Sequence, residues 1–141
     1  ENLKANEFLH RRLTVEDTAR AHLVALEKAA DVGFGLYIVS ALSPFARSDC
    51  AALKRDAAAV IRQHFPDAAD LYASRGWRLP QQIGRVYDAS RIERDLGFRC
   101  ETDFAAVLAA LRSDGAMPFA HDGGFRSPSL DGRALIEGAR R

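Results

Sequence analysis

"LYIVSA", residues 36–41, is an unbroken apolar run that carries the β-branched pair Ile38 and Val39. Such a run predicts a strand buried on both faces, as in a parallel sheet. Just upstream, "TVEDTARAHLVALEKAA" (14–30) has helical spacing. Val15, Ala19, His22, Leu23, Leu26 and Ala30 recur at the intervals of one helix face. Thr14 and Asp17 stand in the relation of a capping box, in which the hydroxyl accepts from an early backbone N–H and the carboxylate reaches back. Asp31-Val32-Gly33 stops the helix.

Downstream, Ser48 or Asp49 is placed to cap a helix over "CAALKRDAAAVIRQHF" (50–65). Its inward face is Leu53, Ala57, Val60 and Ile61, and Pro66 ends it. A helical turn is expected near Ala69–Tyr72. "IGRVYD" (83–88) predicts a second, short strand. Ser90 and Glu93 repeat the capping-box pattern, and Gly97 is placed to close that short helix in the left-handed conformation. "DFAAVLAALR" (103–112) predicts the last clear helix, with Phe104, Val107, Leu108 and Leu111 inward. From Ser113 onward Gly, Pro, Ser and Asp recur, which predicts loops and a short closing helix near Leu135. There is no internal repeat.

With 141 residues, 48% of them hydrophobic and 28% charged, the chain suits one ordinary globular domain. A formal net charge of +1 offers no broad basic face for nucleic acid. No apolar run approaches the roughly 20 residues of a membrane span, and the polar start lacks the apolar core of a signal peptide. Cys50 and Cys100 stand apart without CxxC spacing, which suits a reduced cytoplasmic setting rather than a zinc site. The first residue is Glu1, and the first convincing element starts only near Leu13, so the chain is read as a fragment of a longer protein or a natural remnant.

Two stretches in order resemble a known superfamily. "RRLTVEDTARAHLVALE" (11–27) is similar to the late V-x-D helix of the extended short-chain dehydrogenase/reductases of the NAD-dependent epimerase/dehydratase type. "RVYDASRIERDLGF" (85–98) resembles their later D-x-S/T-K/R-x-x-x-x-L-G-[WF] segment. The resemblance covers about residues 10 to 112. It implies an α/β fold: the last helix and strand of a Rossmann-type parallel sheet, then a small α+β C-terminal lobe that binds substrate. The expected division is 1–42 for the end of the nucleotide-binding domain, 43–115 for the substrate lobe and 116–141 for a loop-rich tail. The implied function is the C-terminal, substrate-binding portion of an NAD(P)-dependent epimerase, dehydratase or reductase acting on a nucleotide sugar or a related hydroxyl/carbonyl compound. A homodimer is compatible with it. The rival reading is a non-catalytic binding or scaffold protein derived from the same fold.

The family's Gly-rich dinucleotide turn does not occur here, and Gly33-Phe34-Gly35 precedes a strand rather than a helix. The catalytic Tyr-x-x-x-Lys does not occur either. Tyr37, Tyr72 and Tyr87 are followed four residues on by Ala41, Gly76 and Arg91. NAD or NADP is therefore expected in the complete protein and not on this chain alone, and no catalytic residue is assigned.

For the substrate, the resemblance points to Arg78, ten residues before the Asp of the D-x-S motif, where the sugar-nucleotide epimerases meet the diphosphate with an Arg. A guanidinium fork suits phosphate oxygens. A second family Arg aligns with His10, and its neighbour Arg11 is the candidate substitute. Other residues carry simpler readings. His22 reads as a packed, hydrogen-bonded histidine, and His121-Asp122 as part of a plain loop before Gly123-Gly124. Phe45, Trp77 and Phe119 read as core.

Overall fold

The computed structural model describes residues 1–119, and every regular element among them is helical. In order they are α1 (Asn2–Glu7), α2 (Val15–Glu27), α3 (Ala29–Val32), α4 (Cys50–His64), α5 (Ala68–Ser74), α6 (Ser90–Leu96) and α7 (Phe104–Arg112). A 3-10 turn at Arg47–Asp49 leads into α4. The closing helix near Leu135, the pair His121-Asp122 and nearly all of the 116–141 tail lie outside the described residues.

The helical architecture overturns the α/β expectation, and no Rossmann-type parallel sheet is present among the described residues. The physical reason lies in pairing. A strand is stabilised by a ladder of backbone bonds to a neighbour. The two stretches expected as strands each meet the turn after α1: Ala41 N–H donates to Arg12 O at 2.9 Å, and Tyr87 N–H donates to His10 O at 2.8 Å. One bond on each side of residues 10–12 is too little for a ladder. Nor is "LYIVSA" buried on both faces. Tyr37 and Val39 pack inward, while Leu36 is 73% and Ile38 49% exposed. The run has the period of a strand and only one covered face. "IGRVYD" is likewise extended without a partner strand.

The helix expected from Val15 forms, but it is rotated. Its inward stripe is Asp17, Ala21 and the half-buried Val24. The apolar stripe Val15, Ala19, Leu23, Leu26 and Ala30 faces water, with Leu26 74% exposed. His22 is exposed too, its ring bonded to Thr18 O at 2.8 Å. Leu26→Glu is therefore expected to change stability by no more than about 0.5 kcal/mol, as at an ordinary surface position. A cost in the range of about 2–5 kcal/mol, that of a core leucine, would show the stripe to be buried in solution. Chemical denaturation of both forms decides it.

The caps also differ from their patterns. Thr14 Oγ1 accepts from Asp17 N–H at 3.1 Å, as expected. The Asp17 carboxylate does not reach back. It accepts instead from the backbone N–H groups of Glu101 (3.0 Å) and Thr102 (3.2 Å) and from Arg20 (3.1 Å). At α6 the N-cap position is Ala89, not Ser90, and the Asp88 carboxylate just before it accepts from Ser90 N–H at 2.9 Å. Hydrogen bonds from Ser90 hold that carboxyl below its ordinary range. Gly97 closes α6 at φ 68°, the left-handed position foreseen for it.

Helix α4 is broken at Asp56 (φ −150°, ψ 83°). Ala57 N–H and Leu53 C=O, which pair with each other in an intact helix, turn outward here. They bond Gln81 O and Ile83 N–H, each at 2.9 Å. Asp56 caps the second half, accepting from Ala59 N–H at 2.9 Å. An inserted chain segment thus causes the kink, and the same insertion fixes the position of residues 81–83.

Two apolar clusters result. The larger joins Ala5, Phe8 and Leu9 to Leu53, Ala57, Val60 and Ile61 of α4, Tyr72 of α5, and Phe104, Val107, Leu108 and Leu111 of α7. Phe119 belongs to it and stacks on Phe8 at 5.7 Å; Trp77 and Phe45 pack against it. The smaller gathers Ala21, Ile92, Leu96, Phe98 and Cys100, with Tyr37 and Val39 against them. Burial pushes the Cys100 thiol up to about 11, so it is a packing group and not a nucleophile.

Candidate anion-binding cleft

Asn2 and Asn6 lie four residues apart and so share one face of α1. Both side-chain amides donate to the backbone carbonyl of Arg78, at 3.0 and 3.2 Å, and Asn2 Oδ1 accepts from Arg78 N–H at 3.0 Å. Residues 81–83 are seated in the α4 break, and Tyr87 is bonded to His10. The stretch from Arg78 to Tyr87 is thereby pinned at three points, to α1, to the break in α4 and to His10 in the turn after α1. Between them opens a cleft of about 540 Å³, whose walls include Asn6, Glu7, His10, Arg11, Gln82 and Arg85.

His10 and Arg11, singled out from the sequence, both line this cleft. Arg78 is not among its lining residues; it is exposed, and its backbone is held by Asn2 and Asn6, of which Asn6 lines the cleft. The structure thus brings His10 and Arg11 together in one cleft wall and leaves the Arg78 side chain outside it. Arg85 completes the set and was missed; in "IGRVYD" it read only as a strand residue. Asn2 and Asn6 were missed too, because nothing in an asparagine's local sequence shows that it will grip a chain segment more than 70 residues away.

The charges are unequal in their freedom. Glu7 pairs with both Arg11 and Arg12, each at 2.7 Å. Burial tends to raise its carboxyl, but the hydrogen bonds from Arg12 and Arg11 outweigh that and hold it below the ordinary range. Arg78 and Arg85 make no ion pair among the described residues. The His10 ring is held below its ordinary pKa by burial and then by the Arg11 cation, against the opposing effect of a hydrogen bond to the Arg85 backbone. His10 is therefore neutral near pH 7, and its Nδ1 is buried without a partner. Two guanidinium groups in its wall, Arg11 and Arg85, against the one carboxylate of Glu7 make the cleft suited to an anion.

A second cleft of about 450 Å³ is lined by Phe45, Arg47, Cys50, Tyr87, Asp88 and Glu93, among others. Its two acids face a single arginine, which suits an anion poorly. Among the described residues no cluster of His, Cys, Asp and Glu is arranged to hold a metal ion. The described residues do not fit a dinucleotide either. Gly33 ends α3 rather than opening a helix, and a side chain at Gly35 would run into the Tyr37 ring. No helix among the described residues is long and apolar enough to cross a membrane.

Comparison with protein-family models, with curated proteins and with solved structures finds no match to the chain.

Proposed function

We propose that this chain binds a nucleotide sugar, as the substrate-binding portion of an NAD(P)-dependent epimerase, dehydratase or reductase, with the diphosphate held by Arg78 and Arg11 beside His10. One observation supports the reading above the others. His10 and Arg11, picked out by the sequence motifs, line one cleft, and Asn6 of the same cleft donates to the backbone carbonyl of Arg78. On this reading NAD or NADP belongs to the complete protein and is not bound by this chain alone.

The role of Arg78 is tested by isothermal titration of the chain with a panel of nucleoside-diphosphate sugars such as UDP-glucose and GDP-mannose. Arg78→Ala is expected to weaken binding by about 1.5–3 kcal/mol, the range for a hydrogen bond to a charged group. Its melting temperature is expected to stay put, because the asparagines grip the Arg78 backbone and not its side chain. Wild-type affinity in the variant would remove Arg78 from the site.

A further inference from the structure

The stretch 34–40 leaves its backbone unanswered. It follows Gly33, which ends α3, and none of its N–H or C=O groups bonds another backbone group among the described residues. The first such bond comes at Ala41, whose N–H donates to Arg12 O at 2.9 Å. Successive residues of an extended chain turn their backbone groups to opposite edges, so Leu36 and Ile38 present theirs on the edge away from Arg12. Their side chains are 73% and 49% exposed, and Phe34 before them is 85% exposed. Tyr37 and Val39, on the other face, pack into the smaller apolar cluster. An open backbone edge and an open apolar face thus coincide. Sheet edges are ordinarily blunted by charges, by proline or by a covering element. From Val32 to Ser43 the sequence holds no charged residue and no proline.

Charge decides what fits this edge. A charged segment finds no counter-charge there and would bury its own charge unpaired. Residues 120–141 of the same chain are of that kind, since Arg126, Asp131, Arg133 and Glu137 break them up and leave Ala134-Leu135-Ile136 as their longest apolar run. A second copy of 34–40 brings no charge at all. With a two-fold axis through Tyr37, antiparallel pairing sets Leu36 opposite the partner's Ile38, and Ile38 opposite the partner's Leu36. The residues whose backbone groups point to the free edge then meet one another, and both apolar pairs lie on the exposed face. We propose that residues 34–40 form an antiparallel ladder with the same residues of a second copy of this chain, closing an isologous dimer. The segment is far shorter than the roughly 20–30 residues a side of a standard interface, so the dimer is weak, with a Kd on the order of 100 µM. The two-fold pairing consumes the free edge of each copy, and assembly stops at two. The proposal stands apart from the nucleotide-sugar reading, because this edge shares no residue with the cleft.

Sedimentation velocity of the full chain from about 5 µM to about 1 mM, a range that brackets this Kd, tests the dimer, and amide hydrogen exchange at both ends of the range tests the ladder. Wild-type protein is expected to pass from monomer to dimer and no further, and the Leu36 and Ile38 amides to exchange several-fold more slowly at the high concentration. Leu36→Lys and Ile38→Lys are each expected to weaken dimerisation about ten-fold or more, because a charge must then be buried in the pairing. Leu23→Lys, at an exposed apolar position on α2, is expected to dimerise as wild type. Thermal melts show which variants are folded, and either lysine variant carries the test if the other unfolds. A monomer at every concentration overturns the proposal, as does a dimer that ignores both lysines or an assembly that grows beyond two. A dimer in which the Leu36 and Ile38 amides exchange as fast as in the monomer holds no ladder and overturns it as well.

Discussion

Asp17→Ala is expected to destabilise the protein by about 3–5 kcal/mol, the cost of breaking a buried charged network by removing one partner. Asp17 is 2% exposed, although it sits in the first turn of a helix. Its two oxygens accept the backbone N–H groups of Glu101 and Thr102 and the Arg20 guanidinium. Alanine leaves both N–H groups without an acceptor, and each such loss costs about 1–3 kcal/mol. Arg20 suffers less, since it keeps Glu101 at 2.9 Å and lies over the Phe98 ring. Asp17→Asn is expected to fall between, because the amide retains one acceptor oxygen but turns a donor toward the other N–H. Urea denaturation of the three proteins measures the series. A loss below about 1 kcal/mol for the alanine variant would mean that water replaces the carboxylate, and that the tie between α2 and residues 101–102 is not structural.

Phe104→Ala is expected to cost a similar amount, about 3–5 kcal/mol, by a different route. Phe104 is 1% exposed at the start of α7, and its ring meets Phe65 edge-on at 5.2 Å and Tyr72 at 6.2 Å. These three rings and Trp77, which stands edge-on to Tyr72 at 5.5 Å, join α5 and α7 to the end of α4. Truncation removes the transfer free energy of the ring and leaves a cavity walled by aromatics that have no room to collapse into it. Phe104→Leu keeps much of the volume and should cost clearly less. Equal losses for the two variants in a thermal melt would mean that the aromatic contacts, rather than the filled volume, carry the stability.

The cleft was legible only in part, and its unread portion has a physical cause. Arg78 and the His10–Arg11 pair were singled out because motif spacing fixes which positions correspond. Arg85 gave no such signal. Its relevance comes from where the inserted segment 81–83 is clamped, and that depends on a broken helix. The break at Asp56 was itself unreadable, because "KRDAAAV" contains neither Gly nor Pro and looks like uninterrupted helix. Exchanging one helical bond for two bonds to another segment is a tertiary event.

Local patterning alone determined the inward faces of α4 and α7, though not the break in α4. Leu53, Ala57, Val60 and Ile61, and likewise Phe104, Val107, Leu108 and Leu111, are all buried as their spacing required. Gly97 was equally readable, because a left-handed residue at a helix end favours glycine whatever surrounds it. Tertiary structure decided what needs a partner. "LYIVSA" has the composition of a strand, yet a strand exists only when another backbone answers it, and here Ala41 N–H donates a single bond to Arg12 O. Helix α2 has one apolar stripe and one short buried acid, and spacing alone favours the stripe as the inward face. The structure turns the acid inward, because the backbone N–H groups of residues 101 and 102 need an acceptor and Asp17 supplies both.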